Sequence, residues 1–140
     1  MEGLLAAYRL TGKQEYLDMS GKMALHLMEN QLPDGHWNHP FTVHGEEAWI
    51  TEKGTALWCW LFYRLYEETG DKDYLDTARK ALLWCLDNQY DGPDVHAYGG
   101  LVGEGASSGI VYRQWFPMAC VYTSGFFGLA VLDEIAVQGK

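Results

Sequence analysis

The sequence predicts an all-α chain, the helical hairpins of an (α/α) toroid, with about two and a half hairpins forming an incomplete ring. Three observations predict it. The stretch Thr69-Gly70-Asp71-Lys72-Asp73-Tyr74-Leu75-Asp76 repeats Thr11-Gly12-Lys13-Gln14-Glu15-Tyr16-Leu17-Asp18 at a shift of 58 residues. The same shift carries Tyr8 to Tyr66 and Asn30-Gln31 to Asn88-Gln89, and one position off it Asp34-Gly35 is matched by Asp91-Gly92. A shift kept through helix, turn, second helix and exit marks a repeated supersecondary unit. Second, helices apolar on every side alternate with helices that have one wet face, the pattern of an inner and an outer ring. Third, the turns within hairpins are short, whereas connections 31–51 and 89–116 are long, unlike the evenly short loops of a solenoid.

Taken in order, residues 3–10 read as the tail of an inner helix, closed by Thr11-Gly12, where glycine supplies the left-handed exit. Residues 14–30 form an amphipathic outer helix, with Leu17, Ala24, Leu27 and Met28 inward and Asp18, Lys22, Glu29 and Asn30 towards water. These two make hairpin 1, 3–30. Hairpin 2, 52–88, pairs an inner helix that is apolar without a break from Ala56 to Tyr63 with an outer helix over 72–88. The latter turns Leu75, Ala78, Leu82 and Cys85 to the core, and Asp71 is its expected N-cap. A lone inner helix, 117–135, is apolar from Met118 to Leu132. The order is buried, wet, buried, wet, buried. The whole of 1–140 reads as one domain.

Composition narrows the partners. A net charge of −9 and a pI near 4.8 exclude nucleic acid and anionic membrane as natural ligands, since both require clustered Lys and Arg. Arg64, Glu67 and Asp133 interrupt the apolar runs that come nearest to a membrane span. The N-terminus lacks a basic-then-apolar signal pattern, so the expected location is cytoplasmic. Cys59, Cys85 and Cys120 fall inside helices among apolar neighbours, without a CxxC, and are expected as free, buried thiols.

With the hairpin repeat, its Thr-Gly-x-x-x-Tyr-Leu joints and its Asn-Gln-(x)-x-Asp-Gly exits, the chain resembles the six-hairpin glycosidase class. Within that class it looks most like the unsaturated glycuronyl and rhamnogalacturonyl hydrolases, glycoside hydrolase families 88 and 105. Sugar epimerases and several polysaccharide lyases share these joints. Gln31-Leu32-Pro33-Asp34-Gly35-His36-Trp37 also fits the Gln-x-x-x-Gly-x-Trp repeat of terpene cyclases, where it is a structural strap. The resemblance implies a carbohydrate-active protein, part of a glycoside hydrolase acting on oligosaccharides that contain unsaturated uronic acid. It implies six hairpins, of which this chain holds two and a lone inner helix. The resemblance assigns the family's catalytic aspartates to no particular position here.

Antiparallel hairpins place both long loops at one rim, and the loops are where chemistry concentrates. They hold three of the six tryptophans and four of the five histidines. Carboxylates mixed with aromatic rings suit sugar recognition, rings stacking on pyranose faces and a carboxylate pair serving as acid and base. Glu52 is the expected general base, because a helix N-terminus favours the ionised carboxylate. Asp91 and Asp94 are the expected acid partners. Trp37 and Trp115 are expected to stack on the ligand, with His44 and Tyr112 beside them and Arg113 gripping a uronate. His36 and His39 lie three apart, but Pro40 follows at once and denies them a helix, so neither metal nor cofactor is expected. The glycine-rich run Gly99–Gly105 lacks the strand and the Gly-Lys-Ser/Thr of a phosphate loop. Two other functions fit the same rim, a non-catalytic helical-repeat binding module and an epimerase-like toroid using a histidine pair.

The 58-residue shift places Met1 on position 59, inside the equivalent inner helix. The expectation is therefore a C-terminal fragment of a larger toroid, or a chain that completes itself by self-association.

Overall fold

The computed structural model describes residues 1–38, 52–101 and 121–139, with the backbone alone at Glu52. Among them are five helices, α1 (Glu2–Thr11), α2 (Gln14–Glu29), α3 (Glu52–Thr69), α4 (Lys72–Asp87) and α5 (Val121–Gln138), and an isolated antiparallel bridge pairs Gln89 with Leu101. The fold is all-helical, as the periodicity predicts. Helix α1 packs on α2, α3 packs on both α4 and α5, and α4 touches α5.

The repeat holds down to single hydrogen bonds. Gly12 and Gly70 leave their helices at φ 68° and 72°, their N–H groups donating to Tyr8 O at 2.7 Å and Tyr66 O at 2.8 Å. The Thr11 hydroxyl donates back to Ala7 O and accepts from the Lys13 N–H, as Thr69 does with Leu65 O and the Asp71 N–H. The Asn30 and Asn88 amides close the outer helices on His26 O and Trp84 O, both at 2.8 Å. The copies differ at one cap. Asp71 accepts from the Asp73 N–H at 3.0 Å, whereas Lys13 offers no side-chain acceptor.

Helix α3 is the centre of the core. Ala56, Cys59, Phe62, Tyr63 and Leu65 are buried on it, in one cluster with Ala78 and Cys85 of α4 and Phe127 and Ala130 of α5. Fully burying a side chain of the Leu or Phe kind contributes about 1.5–3 kcal/mol, so the unbroken apolar run of α3 stabilises the array more than its helix propensity does. Helix α5 departs from its expected all-round burial. Thr123, Phe127 and Ala130 are covered, but Val121, Leu132 and Ile135 lie more than half exposed. Among the described helices, α3 and α4 make its main contacts.

The C-terminal ends of α1, α3 and α5 gather at one end and are tied by charge. Arg9 pairs with Glu67 and Glu68, Arg64 with Glu67 and Asp133, and Arg79 of α4 with Glu134 in a two-pronged bond. The Tyr63 hydroxyl donates to the same Glu134 at 2.9 Å. This charged end lies opposite the rim. No helix among the described residues is long and apolar enough to cross a membrane.

Candidate functional site

The rim forms where α2 and α4 end and α3 begins. After α2, residues 31–37 make a tight strap. Its turn closes through Gly35 N–H to Leu32 O at 2.9 Å and Leu32 N–H to His36 O at 3.0 Å. The Gln31 amide donates both to Gly35 O within the strap (2.9 Å) and to Thr77 O on α4 (3.0 Å). Gly35 takes φ 102° and sits against the Lys80 carbonyl, so the position excludes any side chain. The His36 ring lies 5.3 Å from Trp84, with Nδ1 2.7 Å from the Asp34 carboxylate and Nε2 3.3 Å from the Asn38 side chain. Both ring nitrogens of His36 are thus engaged locally.

Trp37 requires a correction. It is expected at the surface as a stacking ring, yet it is 2% exposed. Its Nε1–H donates to Leu27 O at 2.7 Å, its N–H donates to the Thr55 hydroxyl, and Trp58 and Phe62 pack on its ring. An indole with both a buried face and a bonded N–H is a packing element. It wedges α2 against α3.

The second strap, after α4, carries another correction. Gly99, not Gly92, takes the place of Gly35. The Gln89 amide donates to Gly99 O at 2.5 Å, as Gln31 does to Gly35 O, and Gly99 has φ 79°. Two residues on, Leu101 is buried like Trp37 and its N–H donates to the Ser124 hydroxyl of α5. Gly99 lies ten residues after Gln89 where Gly35 lies four after Gln31, so the second strap bears an extra excursion. Asp91 and Asp94 are exposed on it. The Asp94 carboxylate accepts from the His96 N–H at 3.0 Å, a turn-forming role.

Of the other expected residues, Glu52 opens α3 at this same rim. His44, Tyr112, Arg113 and Trp115, along with His39, lie outside the described residues, as does Cys120. Cys59 and Cys85 are free and buried. Burial pushes the Cys59 thiol well up and the Cys85 thiol up to about 12. The sequence marked Gln31, Gly35 and Trp37 as a strap but passed over its partners on α4, Thr77 O for Gln31 and the Lys80 backbone for Gly35. It also passed over a groove of about 660 Å³ between α1, α2 and α3. Met1, Met23, Leu27, Leu57, Trp58 and Leu61 make most of its wall, and its one carboxylate is Glu2. A groove this apolar lacks the carboxylate pair that glycoside chemistry needs, which separates it from the rim loops.

Comparison with known proteins gives one finding. The family model described as β-L-arabinofuranosidase, GH127 catalytic domain, matches residues 1–97. That span takes in both hairpins, the first strap and the acidic excursion of the second. No curated protein and no solved structure matches the chain.

Proposed function

The chain belongs to the β-L-arabinofuranosidase GH127 catalytic-domain family, and from that premise we propose that its rim forms part of a site for neutral L-arabinofuranosides. The six-hairpin glycosidase class stands, while the narrower likeness to families 88 and 105 gives way to this family. A carbohydrate-active, glycoside hydrolase-like protein follows from membership. The substrate class is the further step, and the observation that carries it is the match over residues 1–97, which takes in the first rim loop and the start of the second.

Charge supports a neutral sugar over the uronate expected from sequence. On the described rim, Asp34, Asp87, Asp91 and Asp94 are exposed carboxylates, and the chain as a whole carries −9. An anionic ligand would have to approach against that field. A neutral furanoside meets no such cost, and its hydroxyls are matched by carboxylate acceptors. In this reading Glu52 is the base, favoured as the anion at the α3 N-terminus, and Asp91 or Asp94 supplies the acid. Tyr112, Arg113, His44 and Trp115 surround the ligand, and Trp37 holds the strap beneath it. Calorimetric titration with methyl β-L-arabinofuranoside and with an unsaturated uronide tests this. The furanoside should bind, and more weakly to Glu52→Gln. Binding of the uronide alone would return the site to the uronate reading.

A further inference from the structure

The two outer helices are copies of one another, but only one of them wears a strap. On α4, the segment 31–37 covers Thr77, Lys80, Ala81 and Trp84 through the Gln31 bond to Thr77 O, the close approach of Gly35 to Lys80 O and the His36 ring on Trp84. Thr77 and Ala81 are accordingly buried, at 6% and 0% exposure. The 58-residue shift maps these four onto Met19, Lys22, Met23 and His26 of α2. There Met19 is 50% and Met23 48% exposed. Lys22, Met23 and His26 are also the α2 wall of the 660 Å³ groove, which runs on to Met1, Glu2 and Gly3 at the start of α1.

We propose that this face of α2 docks a strap of the same kind as 31–37, supplied by a neighbouring helical hairpin. The surface continues, one repeat earlier in the ring, an interface the structure already contains, and that interface specifies the occupant. It is a tight turn that presents a glutamine amide to Met19 O, a glycine at positive φ to the Lys22 backbone, and an aromatic ring two residues later to the groove beside Met1. The glycine exits, threonine bonds and asparagine caps recur across the repeat, so the two outer helices offer the strap a like backbone. The side chains fit it as well. Lysine stands at both Lys22 and Lys80, and the long, pliable Met19 and Met23 can cover a strap without a fixed shape of their own. Met19 and Met23 stand half-exposed one turn apart on this face, and Met23 continues into the groove.

The probe is a synthetic peptide with the sequence of residues 30–38, added to the chain labelled at its methionine methyl groups. Met19 and Met23 are assigned through Met19→Leu and Met23→Leu, swaps that conserve volume and leave the fold intact. The expected result is a saturable shift of the Met19 and Met23 methyl resonances that leaves Met28 in place. A peptide carrying alanine at the glycine position should bind at least tenfold more weakly, since the close backbone approach admits no methyl group. The proposal is overturned if the peptide moves neither methyl at millimolar concentration, or if the alanine peptide acts as well as the glycine one. It is also overturned if the two methyls shift with protein concentration alone, which would give the face to a second copy of the chain.

Discussion

Gly35 lies so close to the backbone of Lys80 that a methyl group on it would overlap the Lys80 carbonyl. The neighbour is backbone and cannot swing away, and φ 102° is strained for any other residue. Gly35→Ala should therefore cost about 3 kcal/mol, the sum of a strained φ and a displaced strap. Gly70→Ala is the control. It has φ 72° but nothing within 4 Å of an added Cβ, so roughly 1 kcal/mol is expected from conformation alone. Urea midpoints of the two variants separate these costs.

Trp37→Phe isolates the indole's hydrogen bond from its bulk. It leaves Leu27 O without its 2.7 Å donor and should destabilise by about 1–3 kcal/mol. Trp37→Ala removes the wedge between α2 and α3 and should cost about 3–5 kcal/mol. Thermal or urea unfolding reads both. Equal losses in the two variants would mean that the ring contributes little packing.

The hairpins were legible in the sequence because their joints repeat side-chain chemistry that acts locally: Thr11 on Ala7, Gly12 on Tyr8, Asn30 on His26. The core-facing sides of the outer helices, such as Leu75, Ala78, Leu82 and Cys85, were legible for the same reason, since helical period alone sets them. The first strap was marked by its Gln31, Gly35 and Trp37, but what the straps bind was not. Gly35 matters through a carbonyl on the next outer helix, and an excursion of six residues hid the pairing of Gly35 with Gly99 behind the nearer Asp91-Gly92. Trp37 reads as a surface aromatic because it sits in a polar loop, and only the fold shows α2 and α3 closing over it. The open side of α5 was legible as a demand for cover, because a helix apolar all round needs neighbours on both sides.

The charged end makes a pH prediction. Burial alone would raise the Glu134 carboxyl, but hydrogen bonds from Arg79, Gln138 and Tyr63 outweigh it and hold the group below its ordinary value of 4.5. The unfolded chain then binds the proton first, so this contribution is present above pH 4.5 and lost as pH falls through the folded value. Asp133 runs the other way. Burial raises it above 3.8 despite Arg64, so its protonation stabilises the fold as pH falls through that raised value. Glu134→Gln should cost about 1–2 kcal/mol at pH 7, discounted because Arg79 is half-exposed. Its stability should also fall less than that of the parent chain between pH 7 and pH 4. Urea midpoints at the two pH values give the comparison, and parallel losses would contradict it.

Cys59 and Cys85 should be silent to thiol reagents in the native chain at pH 8. Both are fully buried, and raised thiols leave little thiolate to react. In denaturant without reductant all three cysteines, Cys120 included, should titrate as free thiols. Finding one would establish a bridge.

The most direct test of the account is an amide NMR titration of the chain with methyl β-L-arabinofuranoside. The rim reading predicts saturable shifts confined to residues 31–38, the first turn of α3 and 89–101, with Arg64, Asp133 and Glu134 at the opposite end unmoved. Shifts centred on that charged end, or none at saturating sugar, would contradict it.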